Sequence, residues 1–181
     1  LRTALRTDSL RAQSRRARAL KEKDFSWSAA GWAGLIAGLL YIALHTILVM
    51  IFSGKPSSDV VRRIAEIALH QSSPPVDSSF TTIVFFAAMV VHLPLSLIYA
   101  RGIAAVVQGM DVARATAFGA LLGAGLYGVN YYVFVRLFPW FADGRGWMTL
   151  LSHVVFGATA ACIYAELTPG ARTKHDVAFG L

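Results

Sequence analysis

Four stretches of this chain, 29–52, 78–100, 115–135 and 146–165, run for 20 residues or more without a charged side chain. An α-helix of that length, rising about 1.5 Å per residue, crosses the roughly 30 Å of hydrocarbon in a bilayer. Lipid offers backbone N–H and C=O groups no partner, so an apolar segment of this kind pairs them within its own helix. The reading is an all-α integral membrane protein, a four-helix bundle. Composition points the same way: 56% of residues are hydrophobic and 15% charged, against about 25% charged in soluble domains. Disorder, collagen-like structure and a disulfide scaffold are excluded. The first stretch is also much longer than the roughly 7–15 apolar residues of a signal peptide. Cys162, the sole cysteine, falls inside an apolar run and is expected to pack as a small hydrophobe.

Charge sets the expected orientation. The chain carries 17 Lys and Arg against 10 Asp and Glu, a net charge of +7. Twelve of the basic residues lie in the N-terminal arm, the turn from Arg101 to Arg114, and the tail at Arg172 and Lys174, while Lys55, Arg62, Arg63, Arg136 and Arg145 lie on the other side. Cations stay cytoplasmic, so both termini are expected in the cytoplasm of a bacterial inner membrane, with Trp27 and Trp32 at the inner interface and Trp140 and Trp147 at the outer one. Nucleic acid is not an expected partner, because the arm lacks interleaved aromatic residues on which bases could stack.

The expected organisation is a basic arm over 1–28, a transmembrane domain over 29–166 with spans at about 29–53, 78–109, 113–138 and 146–166, and a tail over 167–181. Between the first two spans, Ser57 and Ser58 can cap a helix over about 57–71. Val60, Val61, Ile64, Ile67 and Ala68 share one face of it, opposite Arg62, Arg63 and Glu66, and Ser72, Ser73, Pro74 and Pro75 end it. Such a segment is expected to lie on the outer membrane surface. Arginines interleaved with leucines suit the N-terminal arm to anionic lipid or a partner subunit.

Helices in lipid associate through close backbone approach, and small residues four apart mark the contacts. Gly31, Gly34 and Gly38 in the first span, Gly119, Gly123 and Gly128 in the third, and Gly157 and Ala161 in the fourth are the expected contact positions. Pro94 removes a backbone bond to Val90 and is expected to kink the second span.

Polar residues fall on the same faces. His45 is seven after Gly38, Asn130 seven after Gly123, and His153 four before Gly157, while His92 precedes Pro94. Counted from the outer ends at 1.5 Å per residue, His45, His92, Asn130 and His153 lie about 9–20 Å deep. Tyr127 and Tyr131 join Asn130 in an expected polar interior cluster. Intramembrane ionisable residues are functional candidates by default, and His92, His153 and His45 are the candidate cofactor-binding residues. The set admits four readings: mutual hydrogen-bonded glue between helices, axial ligation of a b-type haem, a three-histidine copper or zinc site, and a quinone or lipid site. His70 and His175 are expected at the solvated surface. No paired carboxylates, phosphate-binding glycine loop, metalloprotease spacing or nucleophile elbow is present, so an enzyme is not expected.

The second half reads Tyr127-x2-Asn130-Tyr131-Tyr132-x-Phe134-x3-Phe138-Pro139-Trp140-Phe141, then Arg145-x-Trp147-x5-His153-x2-Phe156-Gly157-x3-Ala161-x2-Tyr164. With Val91-His92 and Leu95-Ser96-x2-Tyr99, this resembles an uncharacterised family of small bacterial four-span membrane proteins, some of which carry the label sodium:proline symporter. The resemblance covers spans two to four and implies a four-span fold. The expected function is a non-catalytic accessory subunit that docks onto other integral membrane subunits of a respiratory or photosynthetic complex. The alternatives are a haem- or metal-bearing electron carrier and a small homo-oligomeric transporter or channel.

Overall fold

The computed structural model describes residues 25–56, 58–69 and 82–168. The arm over 1–24, Ser57, the helix end at Ser72 to Pro75, His70, and the tail with Arg172, Lys174 and His175 lie outside the described residues. Those described form five α-helices and the tighter and wider turns of 129–144, without a strand among them. Four are long and apolar enough to cross a membrane.

Helix α1, Trp27–Ser53, starts at Ser26, whose hydroxyl accepts from the Ala29 N–H at 3.3 Å, and stops at Gly54, whose φ of +65° suits a residue without Cβ. Helix α2 is Ser58–Leu69. Helix α3, Thr82–Val107, continues through Pro94, which sits on its exposed side. A tight turn with Gly109 at φ +76° leads into α4, Val112–Gly128, capped by the Asp111 carboxylate on the Arg114 N–H at 3.0 Å. Helix α5 is Trp147–Leu167. The bundle thus has an α2 end and a hairpin end, where α3 turns into α4.

The third span departs from the expected unbroken helix over 113–138. Beyond Gly128 the chain widens into a π-helical turn, Val129–Val133, then tightens into 3₁₀ turns at Phe134–Arg136 and Pro139–Gly144. The Val129 N–H is shared between the carbonyls of Gly125 and Leu126, four and three residues back, at the end of α4. Tyr131 and Phe134 follow this widened turn into the interior.

Helix α5 is the hub, packing along α4 and α1 and more lightly on α3. At the α4–α5 crossing a Cβ on Gly119 would strike the Gly157 carbonyl, one on Gly123 the His153 carbonyl, and one on Gly157 the Gly119 carbonyl, so the two backbones touch directly. Gly34 and Gly38 do the same for α1 on α3, where a Cβ would come within 2.9 Å of the Ala100 Cβ and 2.6 Å of the Ser96 Oγ respectively. Ala161 is fully buried at the same seam as Gly119. Gly31 and Gly128 face open space, because spacing along a helix does not tell which face has a neighbour.

Helix α2 also makes contacts with the bundle. Val61 and Ala65 bury against Val84 and Ala88 of α3, and Glu66, expected on the polar face, is 7% exposed. The Arg63 guanidinium donates to the Trp140 carbonyl at 3.3 Å and lies 3.8 Å from Asp143. The helix is held between α3 and the 139–144 turn, because its second face meets protein as well. Helices α3 and α4 pack sparsely against each other despite their short connection, and the space between them is where the polar residues gather.

Candidate functional site

Helical periodicity brings the site together from three spans and the widened turn. Gly38, Tyr41 and His45 share one face of α1, His92, Ser96 and Tyr99 one face of α3, and Thr149, His153 and Phe156 one face of α5. Tyr41 is the centre. Its ring stacks on His45 and His92 at centroid distances of 5.7 and 5.5 Å and meets His153 edge-on at 4.9 Å. The three histidines predicted from sequence therefore surround one tyrosine that sequence reasoning missed. The signal was present in its position, three after Gly38 and four before His45.

The hydrogen bonds have a defined direction. A backbone carbonyl only accepts, so the 2.8 Å contact from His153 Nδ1 to the Thr149 carbonyl places the proton on Nδ1. His153 Nε2 then accepts from Asn130 Nδ2 at 3.2 Å, and Asn130 Oδ1 accepts from the Tyr99 hydroxyl at 2.7 Å. This relay runs from α3 through the π turn to α5. His92 Nε2 likewise donates to the Gly38 carbonyl at 2.9 Å, while the Ser96 hydroxyl donates to the His92 carbonyl at 2.8 Å. The missing side chain of Gly38 is what admits Ser96 and His92 so closely. His45 Nδ1 donates to the Ser152 Oγ at 3.2 Å, because that hydroxyl gives its own proton to the Met148 carbonyl at 2.8 Å.

Tyr131 stacks on Phe141 at 5.5 Å and presents its edge to His153 at 5.7 Å. Tyr127 stands apart from the relay. Its hydroxyl accepts from the Gly146 N–H at 3.2 Å, its ring stacks on Tyr131 at 5.3 Å and meets His153 edge-on at 5.9 Å, so it braces the turn against the histidine level. Ser96, Tyr99, Thr149 and Ser152 are further members that were not among the expected site residues. Ser96 and Tyr99 entered only through the family resemblance, and Thr149 and Ser152 are visible only as partners one turn from, or across from, a histidine.

A cavity of about 240 Å³ opens beside this network, between α3 and the end of the third span. Val91, Leu95, Phe134, Phe138, Phe141 and Phe156 make apolar walls, Ile64 and Ile67 of α2 roof it, and His92, Ser96, Tyr99, Asn130, Tyr131, His153 and Tyr41 supply its polar side. A smaller space of about 120 Å³ lies toward the α2 end, sharing Tyr41, Ile64, Tyr131 and Phe141 and lined in addition by His45, Lys55, Asp59, Arg63, Asp143 and Arg145.

Comparison with family models, curated proteins and solved structures gives no match. Geometry alone has to carry the assignment. For a haem or metal ion the donor set fits poorly. The Tyr41 ring packs against both His92 and His153, and His153 Nε2 and His92 Nε2 both face hydrogen-bond partners that a metal would displace. Among the described residues no three His, Cys, Asp or Glu side chains are grouped to hold a metal. What the arrangement does offer is an apolar chamber with one neutral, directional hydrogen-bonding wall.

Proposed function

We propose that this protein is a non-catalytic membrane protein that holds a lipid-soluble, hydrogen-bonding molecule in the gap between α3 and the third span. In the orientation set by the loop charges, this site occupies the outer half of a bacterial inner membrane, with both termini cytoplasmic. The observation that carries the proposal is the 240 Å³ cavity with apolar walls and a neutral polar side, located where two consecutive helices fail to close on each other. A ligand dissolved in the bilayer reaches such a site sideways, without crossing water.

Filling the chamber tests this reading. Leu95→Trp projects an indole into the cavity, whereas Ile98→Trp, at a residue 61% exposed, adds the same bulk outside. Native mass spectrometry of protein released from mild detergent is expected to show a small molecule retained by the unmodified protein and by Ile98→Trp, and lost from Leu95→Trp. Equal retention in both variants would refute it.

A second reading, an accessory subunit of a larger respiratory or photosynthetic assembly, is favoured by α4. Only about 11% of the third span is buried, and Phe118, Leu121, Gly125 and Gly128 turn away from the rest of the bundle, the two glycines onto open space. Purification in a mild detergent is expected to bring down integral membrane subunits in fixed ratio, and recovery of a lone protomer would count against it. The likeness to the family labelled sodium:proline symporter stands as a proposal too. Coupled transport finds little support, since Glu166, exposed near the hairpin end, is the sole carboxylate on the four described spans.

A further inference from the structure

We propose that the occupant of the cavity, whose existence rests on the reading above, is an uncharged amphiphile with a hydroxyl head. The argument is one of leftover donors and acceptors. The relay fixes each proton: Tyr99 donates to Asn130 Oδ1, Asn130 Nδ2 donates to His153 Nε2, and His153 Nδ1 donates to the Thr149 carbonyl. The Ser96 hydroxyl is likewise committed, donating to the His92 carbonyl. Each oxygen in the set nevertheless keeps a lone pair, although Ser96 Oγ also lies 3.3 Å from His92 Nε2, so Tyr99, Ser96 and Asn130 Oδ1 present acceptors beside the cavity, while the second N–H of Asn130 and the Tyr131 hydroxyl, which accepts from Tyr41 on the same wall, supply the donors.

A hydroxyl matches that pattern because it donates and accepts at once. It can give its proton to Tyr99 or Ser96 oxygen and receive the remaining Asn130 N–H. A ketone or ester can do only the second, and it leaves the acceptors at Tyr99 and Ser96 without a donor. A carboxylate or phosphate would enter a chamber whose lining holds no cation, since the arginines and lysine of this region line the neighbouring space instead. A bare alkane satisfies none of the three oxygens. The apolar walls around Leu95, Phe134 and Phe138 take the chain of the amphiphile, whatever its length beyond the mouth.

Four probes sharing a twelve-carbon chain separate these cases: dodecanol, dodecanone, dodecanoate and dodecane, each titrated into nanodiscs containing the full chain, with the thermal unfolding midpoint as readout. Dodecanol is expected to raise the midpoint saturably, with apparent affinity about tenfold above dodecanone and dodecane, the order of magnitude of one or two net hydrogen bonds. Dodecanoate is expected to do no better than dodecane. In Tyr99→Phe the margin of dodecanol over dodecanone is expected to shrink to about twofold. Should that variant fail to fold, the ranking in the unmodified protein decides alone. Dodecanone equal to or better than dodecanol, or dodecanoate best of all, would overturn the hydroxyl assignment while leaving the cavity a ligand site. Absence of saturable binding by all four would overturn the ligand site and this assignment together.

Discussion

Gly157→Ala is expected to separate α4 from α5 and to be the most damaging single methyl that can be added to this protein. A Cβ there would strike the Gly119 carbonyl and come within 2.8 Å of both the Cα and the N of Gly123. All three atoms belong to a backbone, which cannot swing aside as a side-chain tip can. Overpacking of a well-packed interior costs about 1–3 kcal/mol and occasionally more, and here relief requires two helices to part along their whole crossing. A loss of about 3 kcal/mol is expected, read from unfolding in mixed micelles or from steric trapping. Gly125→Ala supplies the control. Nothing lies within 4 Å of its Cβ position, and alanine is a better helix former than glycine by up to about 1 kcal/mol, so that variant should be neutral or slightly more stable. Equal losses from both changes would mean that α4 and α5 do not meet through their backbones.

The contrast between these two glycines also shows what the amino-acid sequence could and could not disclose. Length and hydropathy are properties of single segments, and the helices at Trp27–Ser53, Thr82–Val107 and Trp147–Leu167 begin and end within four residues of the expected spans at 29–53, 78–109 and 146–166. Which side of a helix has a neighbour is a property of two segments. Gly34, Gly38, Gly119, Gly123 and Gly157 meet one, whereas Gly31 and Gly128 do not, though all share the same spacing signal. The widened turn after Gly128 was invisible for a related reason. Val129, Asn130 and Tyr131 continue an apolar helical pattern, and only the packed interior selects a register in which Asn130 reaches His153.

The histidine level follows the same logic. His45, His92 and His153 were legible as a set because ionisable rings in an apolar span avoid lipid. Tyr41 was not, because a tyrosine within such a run reads equally well as an interfacial or a packing residue. Its ring is 8% exposed and in contact with all three histidines, which makes it the element that holds them at one level. The cavity beside them is further still from view. It exists because α3 and α4 diverge from a tight turn, and no local pattern encodes a gap between elements.

Asn130→Leu is expected to be the most destabilising change within the polar relay, because the amide is the member whose two relay partners are both side chains. Its removal leaves the Tyr99 hydroxyl without an acceptor and His153 Nε2 without a donor, both beside an apolar chamber. An unsatisfied buried group costs about 1–3 kcal/mol, but hydrogen bonds between membrane helices average nearer 0.6 kcal/mol, since the unfolded chain in lipid also finds partners. A loss of about 2 kcal/mol for the two groups together is the resulting expectation. Tyr99→Phe alone removes one bond and should cost about 0.6–1 kcal/mol. The informative quantity is their combination. Once Asn130 is gone, Tyr99 has no partner to lose, so adding Tyr99→Phe to Asn130→Leu should cost nothing further and can recover stability by deleting an orphaned hydroxyl. A double-mutant cycle on unfolding free energies then gives a coupling of about 1 kcal/mol. Strict additivity would show that the two side chains act independently, and that the directed chain from α3 to the Thr149 carbonyl does not form a unit.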